Sequence, residues 1–382
     1  MGRSSISRIK SKESQREINV EENIVAIYVE TPYQLITSLN IAVNYLHADG
    51  CYLFLMEQYY MTDRKFQIES KHDFIRGIYY IQDYVDVGAF KHHVLRIKGI
   101  IKGYESKNFP NMCCYYKTKP KKMPFFSAII CNKYEAFMAK QYLEILHRNA
   151  QVFVIEDGVG DYVNPVTEIE IDFKRIYYWP NLFTHVFNQE ALQAPKVSLI
   201  DNMIMSLFFD IFPMKEDEIN KIKNTRCIYF HQPRDRKDDP LFTDIQKSEL
   251  QVINLLKSKF GDSFYIKLHP RDNLNIFPEF QKINSDVPWE AMLYHIERPS
   301  DLVLVGLHST ALITAKNTFG LEPYVISTSG LFEYWKQGNS EEFTQRIKQV
   351  FEYLRKQYKD NTKVMIPKTM REFSSQLEKI NI

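Results

Sequence analysis

The sequence predicts an α/β protein made of two parallel-sheet domains of similar size that face each other across a cleft. Three observations carry that expectation. The chain has 382 residues, the length of two domains at about 150 residues each. Short apolar runs of strand length alternate with helical stretches, the pattern of parallel strands covered on both faces. That alternation lapses over residues 172–214 and restarts at Cys227. A boundary is therefore expected near 212–226, with residues 1–22 a polar, disordered arm, 23–214 the first domain and 215–382 the second.

In the first half, Ile24 to Val29 is a continuous apolar run and reads as a buried strand. Thr31-Pro32 follows, then a helix through about Ala42 with Pro32 in its first turn. Cys51 to Met56, Ser127 to Cys131 and Val152 to Ile155 read as further buried strands, with a helix from about Glu135 to Arg148. Residues 172–214 are apolar and aromatic without clear strand periodicity. A polar helix over 215–224 leads into the second half. There Cys227–Phe230, Phe264–Leu268, Leu302–Val305 and Tyr324–Ile326 read as strands. Helices are expected near 248–260, from Ser309, and over 341–357.

Composition removes several classes of function. Lys plus Arg number 49 against 47 Asp plus Glu, so the chain lacks the basic field of a nonspecific nucleic-acid binder. Only 13 glycines are present, which argues against a prominent Gly-rich phosphate loop. The five cysteines at 51, 113, 114, 131 and 227 contain no C-x-x-C, so neither a zinc ribbon nor a disulfide framework is expected, and a reducing cytoplasm fits. The first 22 residues hold no apolar core of a secretory signal. The opening Met-Gly is not followed by Ser or Thr at position 6, which is Ile, so the myristoylation pattern fails. No run of 18 apolar residues exists to span a membrane.

In open α/β sheets, ligands bind beyond the carboxyl ends of the strands, and three strand ends carry chemistry here. One ends in Glu156-Asp157-Gly158-Val159-Gly160-Asp161, one in His269-Pro270-Arg271-Asp272, and one in Gly306-Leu307-His308-Ser309-Thr310. Singly they read as a turn, a strand terminator and a helix cap. Together they supply a carboxylate base, an imidazole, and hydroxyls with free N–H groups at a helix start.

The segments 155–162 (IEDGVGDY), 265–271 (YIKLHPR) and 304–313 (LVGLHSTALI) resemble, in order and spacing, the three motifs of bacterial sialyltransferases with the GT-B fold. The likeness is to the lipooligosaccharide sialyltransferase and capsular polysialyltransferase families, and spans about residues 24 to 330. Thr31-Pro32-Tyr33-Gln34 resembles the Thr-Pro-x-Gln opening of the lipooligosaccharide family. The one departure is Ser309-Thr310 where a Ser pair is more usual. The resemblance implies inverting, metal-independent transfer of sialic acid from CMP-sialic acid to a glycan hydroxyl on lipooligosaccharide, capsule or polysialic acid. It places the base on the first acidic residue, Glu156, with Asp157 as an orienting or capping neighbour. The sequence leaves open which of the two takes the proton. His269 would protonate or hydrogen-bond the leaving phosphate, an imidazole being suited to either.

On the donor side the resemblance implies Ser309, Thr310, Gly306 and Pro270. Glu290 would accept from the ribose hydroxyls or be a solvated helix-start residue. His231, with Gln232, would face the phosphate or be an ordinary loop histidine. On the acceptor side stand Thr31, Pro32, Gln34 and Gly158, the first domain being the acceptor domain and the second the nucleotide domain. No cofactor is expected, since no Asp-x-Asp suited to a metal ion occurs: the alternating carboxylates of Glu168, Glu170 and Asp172 read as one polar face of a strand, and His92-His93 lacks a third ligand. Lys117, Lys119, Lys121 and Lys122, between aromatic pairs, read as a solvated loop or a contact with anionic lipid or glycan. A cytoplasmic protein, peripheral on the inner membrane through these lysines, is the expectation. The alternative reading is another GT-B transferase with a UDP-sugar or CDP-linked donor for cell-surface polymers.

Overall fold

A computed structural model describes residues 22–56, 72–81, 112–115, 125–132, 150–165, 172–199, 202–232, 242–269, 277–283, 287–332 and 341–382. The expected helix over 135–148, His92-His93, the lysines 117–122, Glu168, Glu170 and Pro270 lie outside those residues.

The first sheet is built from β1 (Ile24–Val29), β2 (Gly50–Met56), β3 (Ile75–Ile81), β4 (Met112–Tyr115), β5 (Ala128–Cys131), β6 (Gln151–Ile155), β7 (Phe173–Tyr177) and β8 (Leu192–Gln193). Their order is β4-β3-β2-β1-β5-β6-β7-β8. The second sheet contains β9 (Cys227–Phe230), β10 (Phe264–Lys267), β11 (Lys282–Ile283), β12 (Val303–Gly306), β13 (Tyr324–Ser327) and β14 (Val364–Met365), in the order β11-β10-β9-β12-β13-β14. Among the described residues every pairing is parallel except that of β3 with β4. These are two Rossmann-like sheets facing a shared cleft, the GT-B arrangement. The strand order reverses beside β1 in one sheet and beside β9 in the other, which creates the two crevices where such sheets bind ligands.

The central strands are apolar throughout because helices cover both faces. All six residues of β1 and all four of β9 and β12 are buried. Helix α1 (Pro32–Asn40) follows β1 directly, and the short helix α2 (Val159–Val163) follows β6. Thr31 stands in extended backbone and its Oγ1 accepts from the Gln34 N–H at 3.2 Å, while Pro32 occupies the first turn. All nine residues of α1 are buried, the polar Gln34, Thr37, Ser38 and Asn40 included. Such burial demands hydrogen-bond partners, and Asn40 Nδ2 donates to the Pro195 carbonyl.

Three features differ from expectation. The antiparallel β4 adds a mixed edge to a sheet expected to be wholly parallel. Residues 172–214, read as apolar and aromatic without clear strand periodicity, form β7, α3 (Pro180–Phe187), β8 and α4 (Asn202–Ile211). Strand β7 escapes a period-2 reading because Ile176 and Tyr177 are both buried and Arg175 lies inward, its guanidinium 4.6 Å from the Phe173 ring centroid. The helix expected near 248 begins six residues earlier, as α6 (Phe242–Phe260). The other second-half expectations hold to within two residues: α5 (Glu216–Lys223), α8 (Ala311–Asn317), which starts two residues after Ser309, and α9 (Glu341–Gln357). The short edge strands β11 and β14 and helix α10 (Met370–Glu378) complete the second half.

Polar and aromatic contacts join the halves, whose buried apolar residues form one continuous core. Val197 N donates to the Thr318 carbonyl at 2.8 Å, and Arg346 on α9 donates to the Val163 carbonyl at 2.6 Å. The rings of Trp179 and Tyr353 meet at 5.4 Å.

Candidate active site

A cleft of about 540 Å³ opens between the carboxyl ends of the two sheets. From the first half it takes Glu30, Thr31, Pro32, Tyr33, Asp157, Val159 and Gly160. From the second it takes Phe230, His231, Gln232, Lys267, His269, Trp289, Glu290, His308, Ser309 and Thr310. The structure thus gathers Asp157, His269, Ser309, Thr310, Glu290, His231, Gln232, Thr31 and Pro32 at one place. Glu156, Gln34, Gly158 and Gly306 are not in its wall.

The acidic segment divides sharply. Glu156 and Asp157 are consecutive residues leaving β6, so they point to opposite sides. Glu156 is fully buried. Its Oε1 accepts from Tyr33 Oη at 2.6 Å and from Asn317 Nδ2 at 2.9 Å. Its Oε2 accepts from the Tyr178 N–H at 2.9 Å and from the Tyr162 hydroxyl. Burial pushes the Glu156 carboxyl up to about 7, against the hydrogen bonds from Tyr162, Tyr33 and Tyr178, which pull it down. Tyr33 and Tyr162 are themselves held well above the usual phenol range by burial and by the Glu156 charge, so both stay protonated donors.

Asp157 faces the cleft. Its Oδ1 accepts from Gln34 Nε2 at 2.8 Å. Gln34 in turn accepts at Oε1 from the Glu30 N–H at 2.7 Å, which fixes the orientation of its amide. The Asp157 N–H donates to the Asp161 carboxylate. Two consecutive residues of α1 therefore hold two consecutive residues after β6: Tyr33 grips Glu156 and Gln34 grips Asp157. Gln34, expected to meet the acceptor, instead acts behind Asp157.

Gly158 is required for two reasons. Its φ of 80° and ψ of −138° lie where side-chain-bearing residues are strained. A Cβ there would also overlap the Thr310 side chain from the opposite half. Thr310 Oγ1 accepts from the Val159 N–H at 3.3 Å, so this hydroxyl bridges the halves at the cleft edge. Ser309 Oγ accepts from the Ala311 N–H at 3.3 Å and caps the start of α8.

On the second-half wall, Glu290 stands in the first turn of α7 (Trp289–His295) and is 5% exposed. The solvated-glutamate reading is therefore wrong: the helix start is folded into the cleft floor. Burial lifts the Glu290 carboxyl to about 7, opposed by its own backbone N–H and by Lys267. His231 is buried, with Nε2 3.7 Å from Glu249 Oε2. Gly306 sits beneath the wall, packed against the Phe230 carbonyl. Burial drives His308 down to about 4, so its imidazole is neutral at physiological pH. Among the described residues no cluster of three or more His, Cys, Asp or Glu is placed to hold a metal ion, and no helix is long and apolar enough to cross a membrane.

Sequence reasoning missed Tyr33, Tyr162, Tyr178, Lys267 and Asn317. Tyr33 and Tyr162 lie inside the segments singled out, but no local spacing marks their hydroxyls as reaching the acid, which Tyr162 follows by six residues. Nothing in the sequence signals Asn317.

No curated protein sequence matches the chain. Among solved structures, a sialyltransferase from Photobacterium damsela covers 90% of this chain and 81% of its own at 11% identity, with a TM-score of 0.48. The wall teichoic acid polymerase TagF covers 94% and 80% at 10% identity, with a TM-score of 0.44. Residues 27–326, which include the acidic, histidine and Ser-Thr segments of the cleft, match the sequence model of the alpha-2,8-polysialyltransferase (POLYST) family, and the chain belongs to that family of sialic acid glycosyltransferases.

Proposed function

We propose that this protein transfers sialic acid from CMP-sialic acid to a hydroxyl of a sialylated glycan, with inversion and without a metal ion, using Asp157 as base and His269 at the leaving phosphate. The observation that carries the reading is the division of labour across the cleft. A carboxylate from the first half and an imidazole and hydroxyls from the second line one cavity, while Glu156 is withdrawn and saturated by four donors.

In this reading the acceptor hydroxyl attacks the anomeric carbon of the donor sugar. Its proton passes to the Asp157 carboxylate as the new C–O bond forms. The bond from the anomeric carbon to the CMP phosphate oxygen breaks with its electron pair on that oxygen, and His269 donates to it. General acid–base help of this kind is worth about 10²–10⁴ in rate. Assigning the base to Asp157 and not to Glu156 follows from access: a base must reach its proton, and Glu156 is 0% exposed. Glu156 then acts as a buried anchor. Ser309, Thr310 and Glu290 belong to the donor side, with Lys267 offering positive charge toward the anionic nucleotide or sugar carboxylate. The family supports an α2,8-linked oligosialic acid as acceptor.

The test is incubation with CMP-sialic acid and a glycan panel containing α2,8-linked oligosialic acid, lactose-type termini and lipooligosaccharide, with mass spectrometry of products. Stepwise gain of sialyl residues on the oligosialic primer is the expected result. Thermal stabilisation provides a second arm: at a hundred times its dissociation constant a ligand adds about 2.7 kcal/mol, and CMP should stabilise where UDP and CDP do not. Stabilisation by UDP or CDP, with no sialyl transfer, would reject the reading and favour another GT-B transferase.

A further inference from the structure

We propose that helix α8 positions the base: Asn317 at its end and Thr310 just before its start hold the 156–159 segment from across the cleft, so that Asp157 is set for proton transfer only when the nucleotide half is engaged. The inference deepens the reading above and rests on Asp157 being the base.

The geometry is specific. Asn317 is 1% exposed and belongs to the second half, yet its Nδ2 donates to Glu156 Oε1 at 2.9 Å and lies 3.3 Å from Tyr33 Oη. Its amide orientation is fixed, because Thr318 Oγ1 donates to Asn317 Oδ1 at 3.0 Å. That leaves the NH₂ facing the carboxylate. At the other end of α8, Thr310 receives the Val159 N–H and fills the space over Gly158. A seven-residue helix is about 10 Å long, so one rigid rod contacts Glu156 and Val159, on either side of Asp157. Three of the four donors to Glu156 come from its own half, and only the Asn317 donor depends on the two halves meeting. Ser309, in the donor wall, precedes the same rod by two residues. The placement of the nucleotide half is thereby tied to the orientation of the acceptor-side carboxylate.

Asn317 does not line the cleft, so it is a positioning residue, and its removal should leave nucleotide affinity intact. The experiment is a double-mutant cycle in the full chain: Asn317→Ala and Asp157→Asn, singly and combined, scored for kcat, KM and CMP affinity. Asn317→Ala should lower kcat by about 10- to 100-fold, the range for a displaced catalytic group, with CMP affinity unchanged. In the Asp157→Asn background the same change should lower residual kcat by less than about 3-fold, because residues acting as one unit are non-additive. Thr318→Val, which keeps Asn317 but removes the donor that orients its amide, should show a smaller loss with the same non-additivity. It carries the cycle if Asn317→Ala does not fold. Equal loss in both backgrounds would overturn the positioning role while leaving Asp157 as base. Near-full activity of Asp157→Asn alone would overturn the base assignment, and this inference with it.

Discussion

Replacing Glu156 and Asp157 one at a time should separate stability from chemistry. In Glu156→Gln one carboxylate oxygen becomes an NH₂ group. Oε1 faces Tyr33 and Asn317, and Oε2 faces Tyr162 and the Tyr178 N–H. Either way the glutamine turns, its NH₂ meets a donor that cannot become an acceptor: the Asn317 amide on one side, the Tyr178 N–H on the other. The tyrosine hydroxyls can rotate to accept, but one buried donor is orphaned in both cases. Such a loss costs about 1–3 kcal/mol, and at about 2–4 °C per kcal/mol for domains of this size the melting temperature should fall by several degrees. The fall should be larger at pH 6 than at pH 8, because above its pKa of about 7 the buried carboxylate is itself penalised by burial. Asp157→Asn keeps an Oδ1 for Gln34 and should melt within a degree or so of the parent while losing about 10²–10⁴ in turnover. Differential scanning fluorimetry and initial rates of sialyl transfer read both. A Glu156→Gln protein with unchanged melting and catastrophic loss of turnover, beside an active Asp157→Asn, would refute the argument and return the base to Glu156.

Four further outcomes follow from the geometry. Gly158→Ala should destabilise by about 1–3 kcal/mol, the cost of a non-glycine residue held at such a backbone angle, and an unaltered denaturation curve would disprove the close approach to Thr310. Ser309→Ala should weaken CMP binding with the fold retained, read by calorimetry; unchanged affinity would remove Ser309 from the donor site. Activity should survive EDTA, and a complete loss restored by a divalent ion would defeat the metal-independent mechanism. Glu290, like Glu156, is raised in the folded state from 4.5 to about 7. The folded chain therefore binds more protons than the unfolded one between those values, and stability should fall as pH rises from about 4.5 to about 7, then level off; Glu290→Gln should flatten that slope, and an unchanged slope would show that Glu290 does not titrate in this window.

Much of this was legible in the sequence because the chemistry sits where parallel strands end. Residues 24–29 and 227–230 announce themselves as apolar runs, and the loops after β6, β10 and β12 hold the functional residue types in short segments. What stayed hidden has two physical causes. Asn317 and Glu156 are 161 residues apart, and a buried amide reaching a buried carboxylate leaves no local pattern. Gln34 and Glu156 lie in the segments that drew attention, but exposure separates residues that touch substrate from residues that support them, and exposure depends on packing around α1. The polar residues of α1, Gln34, Thr37, Ser38 and Asn40, are all buried because the helix lies among β1, α4 and α7.

The opposed orientation of Glu156 and Asp157 also bears on how the site handles charge. Two carboxylates pointing into one cavity would resist ionising together. Here the backbone sends them apart, and Asp157 is the weakest of the influences on Glu156, raising its pKa only after burial and three hydrogen bonds have acted. Asp157 thus faces the cleft while Glu156, its carboxyl raised to about 7 by burial, is held by the tyrosines behind it. The interaction is reciprocal: with Asp157 as the proposed base, a proton taken from the acceptor would remove a negative charge beside Glu156 and make the ionised form of Glu156 easier to hold. The ionised form is the better acceptor for Asn317, so under that proposal proton transfer to Asp157 would favour one of the hydrogen bonds that join the two halves as the donor bond breaks.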